Sequence, residues 1–164
     1  RENTQDAIAT LFSALNGSLY KLQIEPSKKN INGSAKGDLI GGNLSIIYSL
    51  LASEYQYDYQ NKILFIEDLC EQYYHVDRMI YALKHAGIFK EIRGLIIGGM
   101  SDMKDTEVPF GMDIYDIVLS HVKDLNIPVC FDFPCGHIDD NRAMIIGAEA
   151  FLLVTDSNAE LSYI

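Results

Sequence analysis

Three stretches of this chain are apolar without the polar alternation of a half-buried strand: KILFIED at 62–68, GLIIGG at 94–99 and PVCFDF at 128–133. A strand that shows one face to water reads apolar–polar–apolar, so a continuous run calls for cover on both faces. Helical patterns separate the runs. Residues 73–86 put Val76, Ile80 and Leu83 on one stripe and stop at Gly87, and 112–125 form a second apolar period. Upstream, GGNLSIIYSLLAS reads as a glycine turn feeding a helix over roughly 43–53. Strand–helix–strand alternation predicts an α/β fold, a mostly parallel sheet flanked by helices. The tail, AMIIGAEAFLLVTDSNAELSYI, predicts short antiparallel strands at the C-terminus.

The first 36 residues read differently. Residues 4–16 give a helix with Ile8, Leu11, Phe12 and Leu15 on one face and Gly17 as its stop; 19–24 alternate like a short strand. Residues 26–37 are rich in Lys, Asn, Ser and Gly and predict a linker or mobile loop. The expected organisation is the end of a preceding domain plus linker over 1–36 and the main domain over 37–164. A chain that opens on Arg1 reads as a piece of a longer protein.

Composition removes several function classes. A length of 164 residues, 48% apolar, suits one core of ordinary size. A net charge of −10 argues against nucleic acid, whose phosphates need a basic face. No run of eighteen apolar residues exists to span a membrane. Cys70, Cys130 and Cys135 make an odd count without a CxxC pair. That predicts neither zinc nor a disulfide framework but reduced thiols in the cytoplasm, with no metal and no cofactor.

Ligands of open α/β sheets bind beyond the carboxyl ends of the strands. Glu67-Asp68, the segment 98–102 and Cys135-Gly136-His137 are three such ends. If these strands are neighbours, Glu67 and His137 share a rim. A carboxylate on one ring nitrogen fixes the tautomer and stabilises the imidazolium, and the other nitrogen is free to act as general base. Against this stand plainer readings: a solvated turn histidine, and an acidic strand end that caps the next helix. His75, His85 and His121 fall on predicted helices and read as surface or partly buried fillers. Asp77 and Arg78 suggest a structural ion pair, and Tyr55, Tyr57 and Tyr59 a packing strip. Asn43 reads as a helix cap, with a second reading as part of a substrate site for an anionic group such as a peptide carboxylate.

The runs GGNLSIIYSLL, KILFIEDLCEQYYHVDRMIYALKHAGIF, GLIIGGM and PVCFDFPCGHIDDNRAMIIG resemble, in order over about 37–155, the C-terminal domain of the LD-carboxypeptidase family. Its members are serine peptidases, among them muramoyltetrapeptide carboxypeptidases and microcin-immunity peptidases. The resemblance implies a Ser-Glu-His triad in which Glu67 is the acidic member and His137 the base. It also implies an N-terminal nucleophile domain that this chain lacks, a murein-derived peptide substrate cleaved at an L,D-bond, and a homodimer as a partner assembly. Two positions depart from the family pattern: His75 stands where an Arg is usual, and Ile146 where a Pro is usual.

Gly99-Met100-Ser101-Asp102 superficially copies a nucleophile turn, but a polar loop follows it instead of a helix that would supply N–H donors. Two other readings compete. A phosphoacceptor receiver would need an acceptor Asp after the second core strand and a Lys after a later one, and fails at both. A non-catalytic interaction or regulatory domain would keep the fold without the chemistry.

Overall fold

A computed structural model describes residues 3–164. Its strands are β1 (Lys21–Ile24), β2 (Gly33–Asn43), β3 (Ile63–Leu69), β4 (Gly94–Ser101), β5 (Val129–Cys130), β6 (Glu149–Val154) and β7 (Ala159–Tyr163). Its helices are α1 (Gln5–Leu15), α2 (Leu44–Ser49), α3 (Tyr73–His85), α4 (Ile88–Glu91) and α5 (Ile114–Val122). The strands form one mixed sheet in the order β1-β7-β6-β2-β3-β4-β5. β2 through β5 run parallel, as the apolar runs predict, and the C-terminal strands β6 and β7 are antiparallel. The long strand β2 joins the two halves: its first residues pair with β6, its last with β3.

Side-chain parity divides the core. Ile40, Leu64, Ile66, Leu95 and Ile97 face helices α2 to α5, where Val76, Ile80, Leu83, Ile117 and Val118 are buried. Leu39, Ile63, Phe65 and Ile96 face the other way and pack with Leu22, Leu152, Val154 and Leu161 from the antiparallel strands. Each fully buried aliphatic side chain contributes about 1.5–3 kcal/mol. Both layers are therefore needed, and the core strands are apolar on both faces. At the crossover, β2 presses on β3 so closely that a Cβ on Gly41 (φ 131°) would meet the Phe65 carbonyl oxygen.

Several local expectations change. The loop expected over 26–37 ends at Asn32, because β2 begins at Gly33 and pairs with β6 from there. Only Ala35 is buried in its first five residues, so composition hides the strand. β1 also lies in this sheet, against β7. The helix expected over 43–53 is six residues long, and Ala52 turns the chain with φ 60°. Within 128–133 the ladder stops after Cys130; Asp132 is left-handed (φ 57°), although Phe131 and Phe133 remain fully buried. The tyrosine strip splits, with Tyr59 buried and Tyr55 exposed.

α1 behaves unlike the other helices. Thr4 caps it, but Ile8, Leu11, Phe12 and Leu15 are exposed. Polar contacts tie it to the body: Thr4 Oγ1 donates to Asp140 at 2.5 Å, Asp6 pairs with Arg142 at 3.0 Å, and the Ala143 N–H donates to Thr10 Oγ1 at 3.0 Å.

Candidate active site

Alternation along β3 sends its two terminal carboxylates in opposite directions. Asp68 follows Leu64 and Ile66 toward the helices. It accepts from Asn43 Nδ2 at 2.8 Å, from the Ser45 N–H at 2.9 Å and from Ser45 Oγ at 2.7 Å. A buried carboxylate at the first turn of α2 satisfies free N–H groups there, so Asp68 is a structural cap. Asn43 joins it, accepting from the Ile46 N–H through Oδ1 at 3.1 Å. The capping reading of Asn43 is observed; its amide has one further hydrogen to offer.

Glu67 follows Ile63 and Phe65 to the other face, where the segment after β5 crosses the strand end. His137 Nδ1 lies 2.6 Å from Glu67 Oε2, and the His137 N–H donates to the same oxygen at 3.2 Å. The Glu67 side chain is 7% exposed and that of His137 43%. The rim position predicted for both thus holds for the imidazole, while the carboxylate is buried beneath it. Shielding a charge-assisted bond from water strengthens it and fixes which ring nitrogen faces out.

The loop that delivers His137 is held from several sides. The Gly99 N–H donates to the Cys135 carbonyl at 2.8 Å, and the Gly136 N–H donates to Asn141 Oδ1 at 2.9 Å. Gly136 has φ 104°, and a Cβ there would stand 2.8 Å from Glu67 Cβ, Cγ and Oε2. Only glycine lets the loop lie this close to the carboxylate. Asn141 thus serves the loop directly. Ser101, the decoy nucleophile, donates its hydroxyl to the His137 carbonyl at 2.7 Å. It does not address the ring.

The pair opens onto a shallow pocket lined by Phe65, Cys135, Ile138 and Asn141. Phe65, Cys135 and Asn141 also border a neighbouring apolar groove between α1 and the 143–146 segment. Burial pushes the Cys135 thiol up to about 12, so it is an inert wall. A larger cavity of about 560 Å³ beyond β4 and β5 meets the pocket at Ile138.

The remaining candidates lie elsewhere. His75, in the first turn of α3, pairs at 2.6 Å with Glu71, which precedes that helix. His121 is well buried and binds Asp77 at 2.9 Å, while Arg78 stacks over Tyr74. Asp77 and Arg78 therefore take separate partners. Among the described residues no group of three or more His, Cys, Asp or Glu side chains could hold a metal ion, and no helix is long and apolar enough to cross a membrane.

A buried carboxylate at the end of β3 thus grips a rim imidazole carried by the segment that follows β5. Residues 36–152 match the LD-carboxypeptidase C-terminal domain, and the chain belongs to that family. A putative carboxypeptidase of Synechocystis sp. is 34% identical over 143 residues, covering 84% of this chain and 46% of that protein. The probable murein peptide carboxypeptidase of Bacillus subtilis is 28% identical over 140 residues, covering 85% and 44%. The crystal structure of muramoyltetrapeptide carboxypeptidase from Oxalobacter formigenes superposes with a TM-score of 0.87 at 24% identity, over 98% of this chain and 55% of that one. This chain spans about half the length of the curated relatives it matches.

Proposed function

We propose that this chain is the C-terminal part of a serine peptidase that hydrolyses an L,D-peptide bond in murein-type peptides. It supplies Glu67 and His137 of a Ser-Glu-His triad, and the serine comes from a nucleophile domain outside residues 1–164. The observation that carries this reading is the 2.6 Å contact between a buried Glu67 carboxylate and a half-exposed His137 ring. The murein peptide named for the Bacillus subtilis relative supports the substrate class. The free thiols of Cys70, Cys130 and Cys135 support a cytoplasmic setting.

Each group then has one task. Glu67 holds the Nδ1 hydrogen, leaving Nε2 to accept the serine proton as the oxygen attacks the carbonyl of the L,D-bond. The imidazolium that forms faces Glu67, and their attraction in a water-poor setting lowers the barrier. The same proton passes to the departing amine, which releases a C-terminal D-amino acid. Water, deprotonated at Nε2, then attacks the acyl-serine, and the proton returns to the serine oxygen. Asn43 pairs with Glu67 in the β2–β3 register, while its side chain caps α2 and binds Asp68. It is the residue we assign to an anionic group of the substrate, through its remaining amide hydrogen.

The test is incubation of the full-length protein with a murein tetrapeptide, with D-amino acid release as the readout. A fluorophosphonate label should attach to a serine outside residues 1–164. Attachment at Ser101, or no hydrolysis of any L,D-peptide, would count against the proposal.

A further inference from the structure

Ser101 ends β4, and an irregularity in the sheet aims it. The β3–β4 register slips from Ile66↔Ile97 to Asp68↔Met100, so β4 carries one extra residue opposite Glu67. Such a bulge re-aims the side chains that follow it. With it, Ser101 stands beside Leu69, which has the parity of Glu67. Without it, Met100 would stand there, and Ser101 would turn to the helix face. The bulge thus brings the Ser101 hydroxyl to the face where His137 sits.

Its target is the His137 backbone. Glu67 Oε2 already takes the His137 N–H and Nδ1, which fixes the residue from the β3 side. The carbonyl belongs to a loop with no strand ladder, entered through the left-handed Gly136. Ser101 Oγ takes that carbonyl from the β4 side at 2.7 Å. Held at both peptide units, the residue has little backbone rotation left with which to swing its ring.

We infer that Ser101 is a positioning residue for the His137 imidazole, clamping the His137 carbonyl so that Nε2 keeps its direction toward the reacting atoms. This rests on the reading of Glu67 and His137 as an acid–base pair. Losing the hydroxyl leaves a partly exposed carbonyl that water can serve, so folding survives and aim suffers. A loss of aim of about 1 Å lowers turnover by up to about 10²-fold.

The experiment compares Ser101→Ala, Ser101→Thr and His137→Ala in the full-length protein, assayed on a murein tetrapeptide. Ser101→Ala should lower kcat by about 10- to 10²-fold with KM unchanged. Ser101→Thr keeps the hydroxyl on a side chain suited to a strand end and should return kcat to within about threefold of the parent. The low-field proton NMR signal of the Nδ1–Oε2 bond should broaden in the alanine variant and persist in the threonine one. The inference is overturned if Ser101→Ala turns over like the parent, or if Thr is as slow as Ala. It is also overturned if an acyl group is trapped on Ser101 itself. In each of those cases a large loss in His137→Ala leaves the acid–base reading standing. Unimpaired His137→Ala would bring down both.

Discussion

Two Glu–His pairs in this molecule have the same length. Glu67–His137 and Glu71–His75 both close at 2.6 Å, and their imidazoles are equally exposed, at 43% and 42%. Their surroundings differ. Glu71 and His75 are four residues apart, straddling the N-terminal end of α3, and the Glu71 carboxylate is 23% exposed. Such a pair forms wherever i and i+4 meet on a surface, and it contributes about 0.3–0.5 kcal/mol. Glu67 and His137 are 70 residues apart and meet only because β3, β4 and the segment after β5 end together. Gly136 leans on the carboxylate, Asn141 holds Gly136, and Ser101 holds the His137 carbonyl. The difference lies in how many independent elements agree on one geometry, which the bond length does not report.

The largest expected effect separates the two pairs outright. In the full-length protein, His137→Ala should lower kcat by about 10³- to 10⁴-fold or more, because members of the proposed triad act as a unit. His75→Ala should leave kcat within about twofold. Equal losses in the two variants would erase the contrast.

Gly136→Ala probes the crowding that only one pair has. An alanine at φ 104° is strained by about 1–2 kcal/mol, and its Cβ would need Glu67 to shift. Urea unfolding should show a destabilisation of about that size, and turnover should fall by about 10²-fold from the displaced carboxylate. Full activity in this variant would mean that the close approach does not matter.

A smaller effect tests the wall beside Glu67. Burial raises the Cys130 and Cys135 thiols to about 12, whereas Cys70 is exposed. Iodoacetamide at pH 8 should therefore modify Cys70 in the native protein and reach the other two only on unfolding. Mass spectrometry that finds Cys135 modified as fast as Cys70 would show that the wall opens.

The same contrast separates what the residue pattern carries from what it does not. The rim that Glu67 and His137 share is legible because continuous apolar runs mark parallel strands, whose carboxyl ends lie together, although His137 sits in the loop beyond β5 and not on a strand. The choice of Glu67 over Asp68 as the partner of His137 rests on the family resemblance and not on the apolar pattern. Both faces of β3 are apolar, so the sequence gives no sign of parity. The Ser101 clamp depends on a bulge that no residue type announces. β2 was hidden because one face of its first half is solvated and carries Ser34 and Lys36 around a single buried Ala35. The apolar stripe of α1 is periodic in the sequence, but periodicity alone does not say whether such a face is buried within the chain, and here it is exposed.

The central claim is that Glu67 is there for the charge it presents to His137 and not for the fold. Glu67→Gln keeps the shape and removes the charge, with Glu71→Gln as the matched control. In the full-length protein the account predicts a fall in kcat/KM of about 10²- to 10⁴-fold for Glu67→Gln, with unfolding free energy changed by no more than about 1–3 kcal/mol. Glu71→Gln should stay near the parent in both. If Glu67→Gln instead loses stability while each folded molecule turns over at the parent rate, Glu67 is a structural residue and the account is wrong.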